Sequence, residues 1–364
     1  NFTTALASDT TNAAGFYLFD YLEPGDYVIV IPSSNFTGTG KLVGYWSSGT
    51  SMDNTGSISE PAAIDVDIVA TDADDNGKRQ IAAPIAGAVI TLPITLGATE
   101  PTGELAAQLE SGVFGEQGAQ PDNRANMTVD FGFYQTEIGG LLWTEGGTVV
   151  DGRYVLADDG LISGNTVRLY SADGLTEVAT AVLSGVGGDY LFSGLPDGNY
   201  VVKVSETTGM ISTLDTFDQA DNNDPNTNTD NNDNGDNDRE TAGVVASNPV
   251  DSAPGSTGIK TNSTVSNITG TTTNLTLDFG FASRYSVGNR VWLDSDNNGA
   301  MDAGEIGASG VTVQLFAANG LGQPTGLVLD QVTTNGTGYY LFDNLFPGEY
   351  VVVIPSSNFS GPLT

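Results

Sequence analysis

The stretch G-F-Y-L-F-D-Y-L-E-P-G-D-Y-V-I-V-I-P-S-S-N-F at residues 15–36 returns as G-Y-Y-L-F-D-N-L-F-P-G-E-Y-V-V-V-I-P-S-S-N-F at 338–359. A looser copy, G-D-Y-L-F-S-G-L-P-D-G-N-Y-V-V-K-V, occupies 188–204. Recurrence at such intervals means tandem modules, and missing it would misassign the whole fold. Each copy is a strand, a Pro/Gly turn and a second, β-branched strand, which is a hairpin pattern rather than a helical one.

Two further elements repeat around this hairpin. Met127, Val129, Phe131 and Phe133 alternate with small or polar residues, and Leu275, Leu277, Phe279 and Phe281 do the same. Period two puts the large side chains on one buried face, so each module is expected to close on a half-buried strand. Residues 287–292 and 138–143 each run to a tryptophan and open a module; Val311, Val313 and Leu315, like Val167 and Leu169, continue it. The expected division is therefore a module without its opening strands at 1–135, a complete one at 136–284, and the opening part of a third at 285–364. No long helical apolar period is present; residues 103–112 offer at most a short turn. Short strands rich in Thr, Val and Tyr among 47 glycines and 15 prolines predict an all-β chain of tandem antiparallel β-sandwiches. The Asn/Asp-rich run at 215–239 reads as a long surface loop.

Charge narrows the function classes. Forty-five acidic residues stand against 11 basic ones, a formal net charge of -34. Nucleic acid is not an expected partner, because phosphate binding needs clustered Lys and Arg. Self-repulsion at this charge favours counter-ions or metal among the carboxylates. The sequence has no histidine and no cysteine. That removes Ser-His-Asp chemistry, His-ligated zinc, disulfides and thiolate chemistry. Paired carboxylates alone can hydrolyse glycosides, but here they cluster in Gly/Asn-rich turns rather than on apolar strands where burial raises a pKa. No apolar run approaches the length of a membrane span.

The acidic turns carry the candidate chemistry. Residues 294–305 read D-S-D-N-N-G-A-M-D-A-G-E. Calcium loops place oxygen ligands at positions 1, 3, 5, 7, 9 and 12 with glycine at 6. Asp294, Asp296, Asn298, the Ala300 carbonyl, Asp302 (directly or through water) and a bidentate Glu305 fill those places, and Gly299 makes the turn; the competing reading is a solvated acidic turn. Two other clusters show half of this pattern: Asp72, Asp74 and Asn76, and Asp230, Asn232, Asn234 and Asp236. They read equally as calcium half-sites or as Asx-rich turns. Trp46, Trp143 and Trp292 suggest either a sugar-stacking platform or, more in keeping with their repeated position, core and interface packing; Tyr17, Tyr190 and Tyr340 read as packing. Eight N-x-S/T sequons, at Asn1, Asn35, Asn126, Asn262, Asn267, Asn274, Asn335 and Asn358, are glycosylation acceptors where the host has the machinery.

Taken together, V-G-N-R-V-W-L-D-S-D-N-N-G-A-M-D-A-G-E-I-G-A-S-G-V-T-V-Q-L from Val287, the G-Y-Y-L-F-D-N-L-F-P-G-E-Y hairpin and N-L-T-L-D-F-G-F from Asn274 resemble the SdrD-type B-repeat family. These are Cna-B-like, calcium-binding modules of bacterial surface adhesins. The resemblance implies immunoglobulin-like or prealbumin-like β-sandwiches, Ca²⁺ as the resident ion, and an extracellular cell-surface or secreted-filament location. It also implies a non-catalytic role as a stalk or filament shaft, with neighbouring copies or modules as partners. The second module departs from the pattern: W-T-E-G-G-T-V-V-D-G-R-Y from Trp143 lacks the carboxylate spacing. The runner-up is a binding module that recognises a carbohydrate or host protein through long loops at 97–125 and 215–260.

Overall fold

The computed structural model describes residues 4–60, 75–80, 84–101, 121–146, 152–205, 209–213, 233–235, 244–253, 256 and 273–360. Among them the regular elements are strands and short 3-10 turns, with no α-helix. The all-β expectation holds.

The central region shows the sandwich most fully. Strand Thr136–Thr144 reads T-E-I-G-G-L-L-W-T and is buried along almost its whole length, as a strand flanked on both edges should be. It pairs antiparallel with Asp189–Leu195, the first strand of the repeated hairpin. On its other edge it runs parallel to Thr273–Asn274 and Phe279–Ser283. This parallel edge departs from the purely antiparallel expectation. It is allowed because the whole region intervenes between the two strands and supplies the long crossover that parallel pairing needs. The second layer centres on Asn199–Ser205, which pairs with Thr166–Ser171, Val244–Ala246 and Val250–Asp251. Ile138, Leu142, Phe192, Phe279 and Phe281 from one layer meet Val167, Leu169, Tyr200, Val202 and Val245 from the other in one apolar core.

A second, smaller core of Ala308, Val311, Val313, Leu315 and Phe342 serves the C-terminal region. There Tyr285–Arg290 pairs antiparallel with Tyr339–Leu345, and Thr312–Ala318 lies between Pro324–Thr333 and Tyr350–Val353. A third cluster in the N-terminal region holds Ile94 and Val129, with Ile29, Leu96 and Phe131 against them.

The repeated tyrosines do two jobs. The ring of the first packs in the core while its hydroxyl donates to the closing segment: Tyr17 to the Val129 carbonyl and Tyr190 to that of Leu277, both at 2.6 Å. The second pins the Pro/Gly turn by bonding back four residues. Tyr27 donates to Glu23, Tyr200 to Pro196 and Tyr350 to Phe346, at 2.5, 2.7 and 2.9 Å. A phenol with an apolar body and a bonded tip suits a turn at the edge of a core, because the hydroxyl is not left unsatisfied.

The first and central regions are joined by more than the chain. The hairpin Ser51–Met52 to Ile58–Ser59 reaches onto the central region, where Met52 is buried within its core cluster. Met52 N donates to the Asp197 carbonyl at 2.7 Å and Asp173 N to that of Asn54 at 3.0 Å. The Trp46 indole N–H donates to the Gly194 carbonyl at 2.8 Å. The Tyr134 hydroxyl accepts from Asp197 N at 2.7 Å and donates to the Thr50 carbonyl. Gly194 has φ +69, and a Cβ there would come within 2.9 Å of the Gly44 Cα, so this contact needs glycine.

Candidate metal centre

The 294–305 loop springs from the C-terminal opening strand and is tied at its feet. Trp292 and Gly307 form an isolated bridge, Leu293 N donates to the Ile306 carbonyl at 3.0 Å, and Ala308 N to that of Val291 at 2.9 Å. Between those ties the chain turns through Asn297 at φ +60 and Gly299 at φ +76. Gly299 thus makes the turn its position required.

The turn gathers the acidic side chains. One oxygen from each of Asp294, Asp296 and Glu305 lies within 4.8 Å of the others. Asp294 accepts from Gly299 N at 2.9 Å and Asn298 N at 3.3 Å, and these backbone N–H groups, Gly299 first, hold its carboxyl below the usual range. Glu305 folds back from the far end of the loop, accepting from Ser295 N at 2.7 Å and Asp302 N at 3.1 Å. Asn298 donates its amide to Asp296 at 3.0 Å and Asp302 at 2.5 Å, while its side-chain oxygen accepts from Ala300 N at 2.6 Å. The donors are hard oxygens on a solvent-exposed loop, and the carboxylates converge. That set suits Ca²⁺ in kind. Asp294, Asp296, Asn298, Asp302 and Glu305 are thus brought into one cluster, and Ala300 enters it through its N–H bond to Asn298.

The two D-N-G clusters are arranged differently. Asp72, Asp74, Asp230, Asn232 and Asp236 lie outside the described residues. Asn76 and Asn234 are fully buried and clamp the closing segment. Asn76 N donates to the Asp130 carbonyl at 2.9 Å, and Asp130 N returns a bond to the Asn76 side chain at 2.7 Å. Asn234 and Asp278 repeat this at 2.7 and 2.9 Å. The aspartate just before each takes the neighbouring amides. Asp233 accepts from Gly235 N at 2.8 Å, Gly280 N at 3.1 Å and Thr213 Oγ1 at 2.5 Å. Asp75 accepts from Gly77 N at 2.9 Å and Gly132 N at 3.1 Å. Sequence reasoning passed over Asp75 and Asp233 as structural groups. Their signal was available, since D-N-G recurs upstream of D-F-G-F in both regions and the two motifs bond to each other.

In the central region the loop that follows Trp143 uses its acids as backbone caps. Asp159 accepts from Gly146 N at 3.0 Å and Val155 N at 2.6 Å. Trp143 is fully buried and Trp292 half-buried; Trp46 lies at the joint with the Arg79 guanidinium 4.3 Å above its ring.

Residues 285–361 match the family model of the SdrD B-like domain, so the expected resemblance holds for that stretch. Serine-aspartate repeat-containing protein D of Staphylococcus aureus (strain Newman) is 31% identical over 231 residues, 62% of this chain and 14% of that protein. Serine-aspartate repeat-containing protein F of Staphylococcus epidermidis (strain ATCC 12228 / FDA PCI 1200) is 29% identical over the same share of this chain and 11% of its own length. The chain therefore spans a small part of these relatives. Among solved structures, a streptococcal ancillary pilin aligns with 61% of this chain and 54% of its own at 13% identity and a TM-score of 0.21. The minor pilin GBS52 of Streptococcus agalactiae aligns with 61% of this chain and 83% of its own at 10% identity, also with a TM-score of 0.21.

Proposed function

We propose that this chain is a segment of a non-catalytic, extracellular shaft: tandem β-sandwich modules divided near 135/136 and 284/285, stiffened by Ca²⁺, in the stalk or filament of a cell-surface adhesin. The observation that carries the reading is the convergence of Asp294, Asp296 and Glu305 on a loop tied at both feet. That loop lies in the stretch that matches the SdrD B-like domain. Asp294, Asp296, Asn298, Asp302, Glu305 and the Ala300 carbonyl would hold the ion. When bound, the ion supplies positive charge that cancels carboxylate repulsion and fixes the loop against the strands at its base. In the D-N-G regions Asn76 and Asn234 already serve the closing segment, so a second or third ion there would rest chiefly on the carboxylates Asp72, Asp74, Asp230 and Asp236. Bonds across the first joint, made by Met52, Trp46 and Tyr134 with the central region, favour a rod over a flexible string.

Extracellular loops of this kind bind Ca²⁺ with dissociation constants on the order of 10⁻⁴ to 10⁻³ M. A tenfold excess over the dissociation constant stabilises the folded state by about 1.4 kcal/mol per site. The test is thermal melting of the chain in millimolar Ca²⁺ and in EDTA, alongside Asp294→Ala/Glu305→Ala. The expected result is a higher melting temperature with Ca²⁺ that the double variant lacks. Equal melts for the native chain in both buffers, with no heat of Ca²⁺ binding in titration calorimetry, would refute the ion's role.

A further inference from the structure

The C-terminal region carries an apolar bulge on the outer strand of a sheet. Strand Pro324–Thr333 pairs with Thr312–Ala318 on one edge and with no other described strand. Its ladder runs from Thr333 to Asp330, opposite Leu315, and resumes at Thr325, opposite Ala317. Between those pairs the inner strand has Phe316 alone, whereas the outer strand has G-L-V-L at 326–329. Gly326 adopts φ +69, and Leu327, Val328 and Leu329 are 87%, 40% and 57% exposed. None of the three is in the core below, which Val332 joins from the same strand. The central region shows the same place without the bulge. There Val167 pairs with Val182, 15 positions on, whereas the equivalent Val313 pairs with Val332, 19 positions on. The outer position belongs to the module's own topology. In the central region Val182–Leu183 is also the outer strand, and the later strands Val244–Ala246 and Val250–Asp251 join the opposite side of that sheet, on Asn199–Ser205.

We propose that this bulge is a self-association surface whose occupant is the same bulge of a second copy of this chain, the two outer strands running antiparallel about a two-fold axis at Val328. Charge selects the occupant. Residues 306–329 hold no charged side chain, in a chain of net charge -34. Two such chains can approach here without setting carboxylate against carboxylate. The run L-V-L reads the same in both directions. Antiparallel pairing therefore sets Leu327 against Leu329 and Val328 against its own counterpart, as an isologous contact requires. The flanking Asp330 falls opposite Gly326 of the second copy. The two Asp330 residues are then four positions apart, about 13 Å along the strand at about 3.3 Å per residue, beyond the Debye length of about 10 Å at 0.1 M salt. An outer strand is open to such pairing unless lysine, proline or brevity blunts it. Here Pro324 blocks only the first position, and the strand contains no lysine. The contact names the surface by which neighbouring copies of the shaft meet side by side and rests on that reading for its setting. The two fail separately, because association is read in EDTA as well as in Ca²⁺.

The native chain is expected to show a concentration-dependent monomer–dimer equilibrium in sedimentation velocity. Leu327→Glu/Leu329→Glu sets like charges directly across the contact and should weaken dimerisation by about tenfold or more. The same change at Leu175 and Leu183, exposed in the central region, should leave it unaltered. The chain has no cysteine, so a single engineered thiol reports cleanly. Val328→Cys is expected to give a disulfide-linked dimer and nothing larger under mild oxidation, faster than Leu175→Cys does. All of these side chains are exposed, and the native chain's sedimentation carries the test whatever the variants do. A native chain that is monomeric at every concentration would overturn the proposal, as would a native chain that grows past the dimer. So would glutamates at 327 and 329 that leave dimerisation intact, or equal cross-linking by the two cysteine variants.

Discussion

Single carboxylates in this chain do opposite things according to where they sit. Asp233 is fully buried and accepts two backbone N–H bonds and a threonine hydroxyl. Removing it leaves buried donors without an acceptor, so Asp233→Ala is expected to cost about 3 kcal/mol in urea unfolding of the full chain. Glu60 illustrates the contrary case. It accepts from Arg79 N at 2.6 Å, but its other oxygen is buried without a bond. Burial pushes its carboxyl up, with nearby Asp75 adding to the shift, and burial raises Asp75 as well. A carboxyl with a raised folded pKa binds more protons folded than unfolded. The stability it contributes is full below its ordinary value of 4.5 and is lost as pH rises through the raised one. Glu60→Gln keeps the acceptor for Arg79 N and cannot ionise. Its melting temperature should match the native chain near about pH 4 and exceed it toward about pH 7; a constant difference across that range would show that ionisation of Glu60 is not the cause.

At the scale of elements, the joint between the first two regions is a hairpin laid across a neighbour. Met52 lies in a core otherwise built by the central region, so Met52→Ala removes apolar volume that belongs to both. A cost of about 2–5 kcal/mol is expected for a buried methionine truncated to alanine. The characteristic sign is loss of coupling: the native chain is expected to unfold these two regions in one calorimetric transition and the variant in two. Gly194→Ala should act in the same direction by pushing its Cβ onto Gly44. If either variant keeps a single, merely lowered transition, the hairpin is packing without coupling. Neither role was legible beforehand. Met52 lies in a short polar stretch without period, and its apolar partner is another region's core, far away in sequence. The hairpin strands of the central and C-terminal regions, the central closing segment and the opening strands were legible because period-two burial and turn chemistry are local, whereas in the N-terminal region residues 16–22 form no strand and the closing segment is a strand only at Phe133–Tyr134. The 294–305 loop was legible for the same reason, since its ligands, its glycine and its turn all fall within one short window. The D-N-G clamps were half legible: their carboxylates suggested metal, whereas the bonds that employ Asp75, Asn76, Asp233 and Asn234 reach a strand many residues later.

For the molecule as a whole, the net charge of -34 sets two effects of cations against each other. Any salt screens repulsion between exposed carboxylates, and the Debye length falls from about 10 Å at 0.1 M to about 3 Å at 1 M. The native chain should therefore melt higher as NaCl rises, in EDTA as well as without it. The 294–305 loop asks for something salt cannot give. Three carboxylates lie within 4.8 Å of one another, well inside the Debye length of about 10 Å at 0.1 M, and at any salt a diffuse monovalent atmosphere does not order a loop. A bound divalent ion does both at once. Calcium should accordingly raise the melting temperature further at high NaCl, by an increment that shrinks with competition but does not vanish. In Asp294→Ala/Glu305→Ala the NaCl effect should survive while the calcium increment is lost. Were high NaCl to abolish the calcium increment in the native chain, the ion would be acting on the general charge, and the stiffness of the shaft would have to be sought in the joint hairpin and the buried clamps.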